Sequence, residues 1–253
     1  MHCNPLPARR AGVGRALAGA ALALALAGCA TGPANDPFER YNRATTDFNE
    51  SLDALVLKPV ALAYQEVTPP MARTGVSNFF ANLGDAWSFV NNVLQLRPAP
   101  ALDSLVRFNV NTIFGLGGLL DVASEMGVDR HKQDFGLTLG RWGVPTGPYV
   151  VLPVLGPSTV RDTLVMPVDS QGNLVTHVGS TATRNSLYAL RAVNTRANLL
   201  RASSVLDTAA LDKYSFMRDV YLDIRRQEGG SPLRKNGDTD RGFDDGSLPN
   251  EPY

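Results

Sequence analysis

The chain has 253 residues, with 24 Lys and Arg balanced by 24 Asp and Glu, and so carries no formal net charge. That balance speaks against a nucleic-acid binder, which would present a basic face. The two cysteines, Cys3 and Cys29, both lie near the start, so no disulfide is available to a body built from the rest of the chain.

Arg9, Arg10 and Arg15 precede a short Ala/Leu run from Ala16 to Ala27, which closes on Leu26-Ala27-Gly28-Cys29. The run is too short to span a bilayer, which takes about 20 apolar residues, and fits the apolar region of a signal peptide. Small residues running into a cysteine are the pattern of a bacterial lipoprotein signal. The thiol of Cys29 is the group that accepts a diacylglycerol, and cleavage before it frees an amine for a further acyl chain. Two or more chains anchor a protein stably where one does not. The expected organisation is therefore a signal peptide over 1–28, a lipidated start and linker over 29–35, a body over 36–227 and a disordered tail over 228–253. Residue two of the processed chain is Ala30 rather than Asp, which by resemblance to known lipoprotein sorting favours the outer membrane. Removing the signal leaves 225 residues with a net charge of −3.

Asp36 offers an N-cap and Pro37 a first helical position. Phe38, Tyr41, Thr45, Phe48, Leu52 and Leu55 then recur at helical spacing, and Pro59 ends or kinks the element. Pro69-Pro70 closes the next segment. A second helix is predicted over 76–96, with a stripe of Phe79, Phe80, Leu83, Trp87, Val90 and Leu94, stopped by Pro98 and Pro100. A third is predicted over 102–114, and a short helix over 119–126 capped by Gly127. Residues 134–160 are dense in Gly, Pro and β-branched types and read as loops with a short hairpin or helical turns. Leu187, Leu190, Val193, Ala197 and Leu200, then Leu211, Tyr214, Met217, Tyr221 and Ile224, mark two further helices, the last ending near Arg225-Arg226. The chain is mainly helical, with amphipathic elements whose apolar faces suit either a core or a lipid surface.

Catalytic patterns are missing. Asp134-Phe135-Gly136 stands without the other kinase motifs, Gly115 to Gly118 are not followed by Gly-Lys-Ser/Thr, and no Gly-x-Ser-x-Gly elbow surrounds a serine that could join His131 or His177. No Cys/His cluster suggests a metal site. The expectation is no enzyme, no cofactor and no metal.

A series of phrases occurs in order along the chain: Asp36-Pro37-Phe38-Glu39, Asn42-Arg43, Phe48-Asn49, Leu52-Asp53 and Pro59-Val60-Ala61. Arg73-x-Gly75-Val76-x-Asn78-Phe79-Phe80-x-Asn82-Leu83, Arg107-Phe108-x-x-Asn111-Thr112 and Gly115-x-Gly117-Gly118 continue it. Asp134-Phe135-Gly136-x-Thr138-Leu139-Gly140, Gly147-Pro148-Tyr149, Gly156-Pro157-Ser158-Thr159-Val160-Arg161-Asp162 and Tyr214-x-x-x-Arg218-Asp219-x-Tyr221 complete it. Over about residues 36–226 this set resembles the MlaA (VacJ) lipoprotein family. The resemblance implies a ring-like assembly of amphipathic helices with a Gly/Pro-rich central loop region, embedded in the inner leaflet of the outer membrane around a polar channel. It implies a protein that associates with trimeric porins. It also implies removal of misplaced phospholipids from the outer leaflet and their transfer to a soluble periplasmic carrier. A polar conduit suits that task, because a charged headgroup crosses hydrocarbon at high cost.

Arg161, Asp162 and Asp169 follow the Gly/Pro-rich segment in an apolar neighbourhood and are candidates for lining the channel. An ordinary helix start, with Ser158 or Thr159 as cap and Asp162 in the first turn, explains the same residues. Gly143 and Gly147 are candidate gate hinges, or simply turn glycines. The segment from Thr163 to Val168 is more apolar than the family pattern leads one to expect. The competing reading is a structural, porin-binding envelope lipoprotein without a lipid conduit.

Overall fold

A computed structural model of the chain describes residues 36–209 and 212–229. The expected signal peptide, Cys29, the linker and the tail beyond Gly229 lie outside the described residues. The body is mainly helical, as expected: α1 (Glu39–Leu52), α2 (Lys58–Val67), α3 (Pro70–Leu94), α4 (Pro98–Ile113), α5 (Val122–Glu125), α6 (Phe135–Arg141), α7 (Val160–Gly172), α8 (Thr181–Ala209) and α9 (Lys213–Gly229). Two antiparallel strands, β1 (Tyr149–Leu152) and β2 (Gly156–Thr159), pair Tyr149 with Thr159 and Leu152 with Gly156. Among the described residues no helix is long and apolar enough to cross a membrane.

Prolines start helices here more than they stop them. Pro70 opens α3 and Pro98 opens α4, because a residue in the first turn has no carbonyl for its missing N–H to bond. The two helices therefore begin ahead of the ranges predicted from periodicity. Leu96, at φ 56°, reverses the chain between α3 and α4, which pack side by side. Pro59 does not end the first element. A π-helical turn over Asp53–Leu57 absorbs one extra residue just before it, and α2 continues from Lys58.

One sequence expectation is corrected, and another is met on both its alternatives. Asp36 does not cap α1, whose N-cap position is Phe38; its carboxylate is buried and serves a distant helix instead. Residues 134–160 contain a helix, α6, besides the anticipated hairpin. Asp134 caps it by accepting from the Leu137 N–H at 2.8 Å. At the far end α9 runs to Gly229, past the start of the expected tail.

The distribution of polarity is inverted. Among the described residues twenty polar or charged residues are buried against eleven apolar ones. Large apolar side chains face outward: Leu55 is 78% exposed, Val67 79%, Met71 86% and Phe114 70%. In α3 the buried positions besides Phe80 are Asn82, Asp85, Ser88, Asn91 and Asn92, at helical spacing, while Val90, Val93 and Leu94 lie on the exposed face. α4 repeats the pattern, with Ser104, Arg107 and Asn111 buried and Leu102 and Ile113 exposed. A protein in water buries its apolar stripe. This one buries its amides and charges and turns large apolar side chains outward.

Candidate functional site

The polar interior divides into linked parts. Between α3 and α4, Arg107 holds Asp121 through Nη2 at 2.7 Å and lies 3.5 Å from Asp85 through Nε. Arg130 approaches Asp85 at 3.2 Å and Asp121 at 3.5 Å. Asn111 donates to Asp121 at 2.9 Å and accepts from the Ala123 N–H at 2.9 Å. Burial pushes the Asp85 carboxyl above the usual range against the pull of Arg130 and Arg107. Burial pushes Asp121 the same way, but hydrogen bonds from Ser124 and Asn111 and the charges of Arg107 and Arg130 outweigh it, and its pKa falls to about 2.

The second part joins α6, α7 and α9. Arg161 and Asp162 are buried at the start of α7, where Thr159 caps the helix by accepting from the Asp162 N–H at 3.2 Å. The helix-start reading of these residues thus describes the backbone. Their side chains go further: Arg161 Nε donates to Asp162 at 2.9 Å, Arg225 Nε donates to the other oxygen of Asp162 at 2.8 Å, and Arg225 also binds Asp134 at 2.6 Å. α6 must carry glycines for this cluster to fit. A Cβ on Gly136 would lie 2.3 Å from Asp162 Oδ1, and one on Gly140 2.6 Å from Arg161 Nη1. Arg161 Nη2 is buried and has no hydrogen-bond partner among the described residues.

Asp169, two turns along α7, stands apart from Arg161 and Asp162. It accepts from the Trp87 indole and from the Phe135 N–H, both at 2.8 Å, so it ties α7 to α3 and α6. Burial raises its pKa. Gly143 and Gly147 both have positive φ, 93° and 72°, in the turns between α6 and β1. Gly143 has open space around it, whereas Gly147 faces Val160 at 3.4 Å. In the segment that departs from the family pattern, Leu164 is exposed and Val165 buried.

The third part joins the two ends of the described body. Asp36 accepts from the Tyr214 hydroxyl at 2.5 Å and from Arg218 at 3.1 Å. Asn42 binds β1, donating to the Tyr149 carbonyl at 3.1 Å and accepting from the Val151 N–H at 2.8 Å. Asn49 does the same further along, with the Leu152 carbonyl at 3.0 Å and the Val154 N–H at 2.7 Å. Seven residues of helix rise about 10.5 Å, close to the length of three strand steps. The Asn42 amide thus stands where a neighbouring strand would, and the Asn49 amide holds the end of β1 and the turn after it. Tyr149, Tyr214 and Tyr221 stack edge to face beside them, and burial raises Tyr149 and Tyr221 to about 12.

Against this joint lies a cavity of about 790 Å³ between α1, the hairpin, the end of α8 and the start of α9. Its walls are chiefly apolar. Among the described residues no group of three or more His, Cys, Asp or Glu is placed to hold a metal ion. His131 bonds Asp103 and His177 the Gln171 carbonyl, while Ser158 Oγ pairs with Thr163. The buried polar stripe on α3, Arg225, and the second roles of Asp36, Asn42 and Asn49 were missed by site reasoning from sequence. The ordered Asn and Arg positions in the motif phrases were the available signal.

The comparisons agree with this picture. The family model described as MlaA lipoprotein matches residues 34–228. An uncharacterised protein of Rickettsia bellii is 35% identical over 75% of this chain and 75% of its own length. The intermembrane phospholipid transport system lipoprotein MlaA of Escherichia coli is 36% identical over 78% of this chain and 81% of its own. A solved structure, from work on the structural basis for maintenance of bacterial outer membrane lipid asymmetry, superposes with a TM-score of 0.68 at 34% identity, covering 77% of this chain and 98% of that one. The match spans the helical body, including the polar joints described above, and on that ground this chain belongs to the MlaA lipoprotein family.

Proposed function

We propose that this protein is an outer-membrane lipoprotein that takes misplaced phospholipids out of the outer leaflet and passes them to a soluble periplasmic carrier, so keeping the membrane asymmetric. The observation that carries the reading is the inverted body, with buried Asn, Asp and Arg inside and exposed Leu, Val, Met and Phe outside. Apolar outer faces let the helices lie among acyl chains. A polar interior lowers the cost of bringing a charged headgroup to membrane depth. The transport role of the Escherichia coli relative supports the same reading.

In this scheme Cys29 carries the acyl anchor, and trimeric porins hold the protein in the outer membrane. Arg161, whose Nη2 is unpartnered, faces the conduit, Asp162 positions it, and Asp169 fixes the wall behind. Gly143 and Gly147 flank the segment that gates passage. No chemical step is required, since the task is transfer and not bond cleavage.

The test is surface phospholipid content in cells lacking the protein, complemented with wild type or with Cys29→Ala. Phospholipid accumulates at the surface of the deletion strain, and only the form that can be lipidated restores asymmetry. Unchanged surface lipid together with disrupted porin complexes would replace transport by the scaffold role.

A further inference from the structure

We propose that the cavity between α1, the hairpin, α8 and α9 is a binding slot for one acyl chain of a phospholipid, lying apart from the buried polar clusters. The inference rests on the phospholipid-transport reading above and adds a place for the tail.

A space of about 790 Å³ is of the size that holds small-molecule ligands, roughly 300–1,000 Å³. Its lining includes Leu199, Ala202 and Leu206, spaced along two turns of α8, so the slot is at least about 10 Å long on that side. Phe216 and Met217 of α9 and Val151 of β1 close it with further apolar surface. Covering apolar wall of this kind with hydrocarbon is favourable, at about 25 cal/mol per Å² removed from water.

The polar residues at the slot fit one class of guest. On the α1 side the lining carries Glu50 and Asp53, each paired with a cation: Glu50 with Lys213 at 3.0 Å, Asp53 with Arg196 at 2.7 Å. The Glu50–Lys213 pair is substantially exposed, and such pairs exchange partners at little cost. A phosphate can share Lys213 while an amine shares Glu50, which matches a zwitterionic head above an apolar tail. A free fatty acid supplies only one of the two charges. The slot also adjoins the bilayer-facing surface. Asp53 points into it, while Leu55 and Val56, in the same π-helical turn, are exposed. A tail leaving the hydrocarbon beside Leu55 and Val56 has only to pass this turn.

The experiment uses full-length lipidated protein in nanodiscs containing phosphatidylethanolamine with a diazirine on one acyl chain. The sample is irradiated and labelled peptides are mapped by mass spectrometry. Labels are expected on α8 over 199–206 and on α9 at 216–217. Ala202→Trp, which fills the slot from an exposed helix position, abolishes labelling there with circular dichroism unchanged. Met217→Trp is the second filling variant should the first fail to fold, and Leu164→Trp on the outside of α7 leaves labelling intact.

Labels confined to exposed apolar residues, or labelling indifferent to both filling variants, would overturn the proposal. So would slot labelling that appears only in Cys29→Ala, because the chain's own anchor would then be the occupant. Surface phospholipid in the deletion strain separates the two readings. If deletion changes nothing yet the slot labels, transport falls and the acyl site stands. If deletion raises surface phospholipid yet the slot never labels, the acyl site falls alone.

Discussion

Two arginine clusters hold this protein together, and they differ in reach. Arg107 binds Asp121, fourteen residues on, and the Val128 carbonyl, twenty-one on. Arg225 binds Asp134, ninety-one residues back, and its neighbour Arg218 reaches Asp36, 182 back. The first cluster is a staple between chain neighbours, which closes at modest entropic cost. The second is a clasp that fastens α9, and with it the end of the body, onto the beginning. The staple therefore belongs to the stable framework, and the clasp to an element that can open without unfolding the rest.

The largest effects should separate the two. Arg107→Met takes the buried guanidinium from Asp121 and leaves Asp85 with Arg130 alone, and is expected to cost about 3–5 kcal/mol of global stability, read as a lower denaturant midpoint. Arg225→Met removes the partner of Asp134 and of one oxygen of Asp162, whose other oxygen keeps Arg161, and costs a similar amount locally. Its signature is faster amide exchange and proteolysis confined to α9, with the global midpoint less affected. If both variants lower the global midpoint equally with no local opening, the distinction fails.

Next in size is Gly136→Ala. The added Cβ meets the carboxylate of Asp162 and the guanidinium of Arg225, an overpacking cost of about 1–3 kcal/mol. It should reproduce the α9 opening of Arg225→Met and leave the staple untouched. Asn42→Leu should likewise cost about 1–3 kcal/mol, because it orphans the Val151 N–H and Tyr149 carbonyl.

The pH response is smaller and belongs to the staple. The folded pKa of Asp121 is depressed to about 2 from an ordinary 3.8. Its stabilisation is therefore present above about pH 4 and lost as pH falls through 2. Asp85 has the opposite sign: its raised pKa makes ionisation unfavourable, and protonation on acidification relieves that cost. Asp121→Asn should flatten the loss of thermal midpoint between pH 4 and pH 2, while Asp121 in the Arg225→Met background should not. The smallest effect is expected for Arg43→Ala, which removes an exposed pair with Asp212 and should leave the thermal midpoint unchanged.

Much of this was legible in the sequence. Helical periodicity located the long elements, and the Gly/Pro-rich middle was readable as a hairpin. Boundaries failed where prolines at 70 and 98 opened helices, since a proline reads the same before a helix as after one. The helical turns allowed over 134–160 could not be placed at α6, because Phe135-Gly136-Leu137-Thr138-Leu139-Gly140 has poor intrinsic propensity, with two glycines each unfavourable by about 1 kcal/mol. Packing required those glycines, and tertiary contacts overrode propensity. The orientation of the amphipathic helices was the deepest ambiguity. A stripe such as Asn82, Asp85, Ser88 and Asn91 reads as a solvated face, and the outside of this body is apolar. Asp36 illustrates the same limit at one residue, a textually good cap that the fold employs 178 positions away at Tyr214.

The pair of asparagines on α1 has a consequence for other chains. A two-stranded ribbon normally leaves an open edge, and an open edge recruits strands from other chains. Asn42 occupies the Tyr149–Val151 stretch of β1 with its own amide and Asn49 ties down the turn that follows, so the peptide groups they bind cannot template a partner. A strand of another chain therefore finds that stretch already paired, and the pairing is achieved without adding charge or proline to the surface.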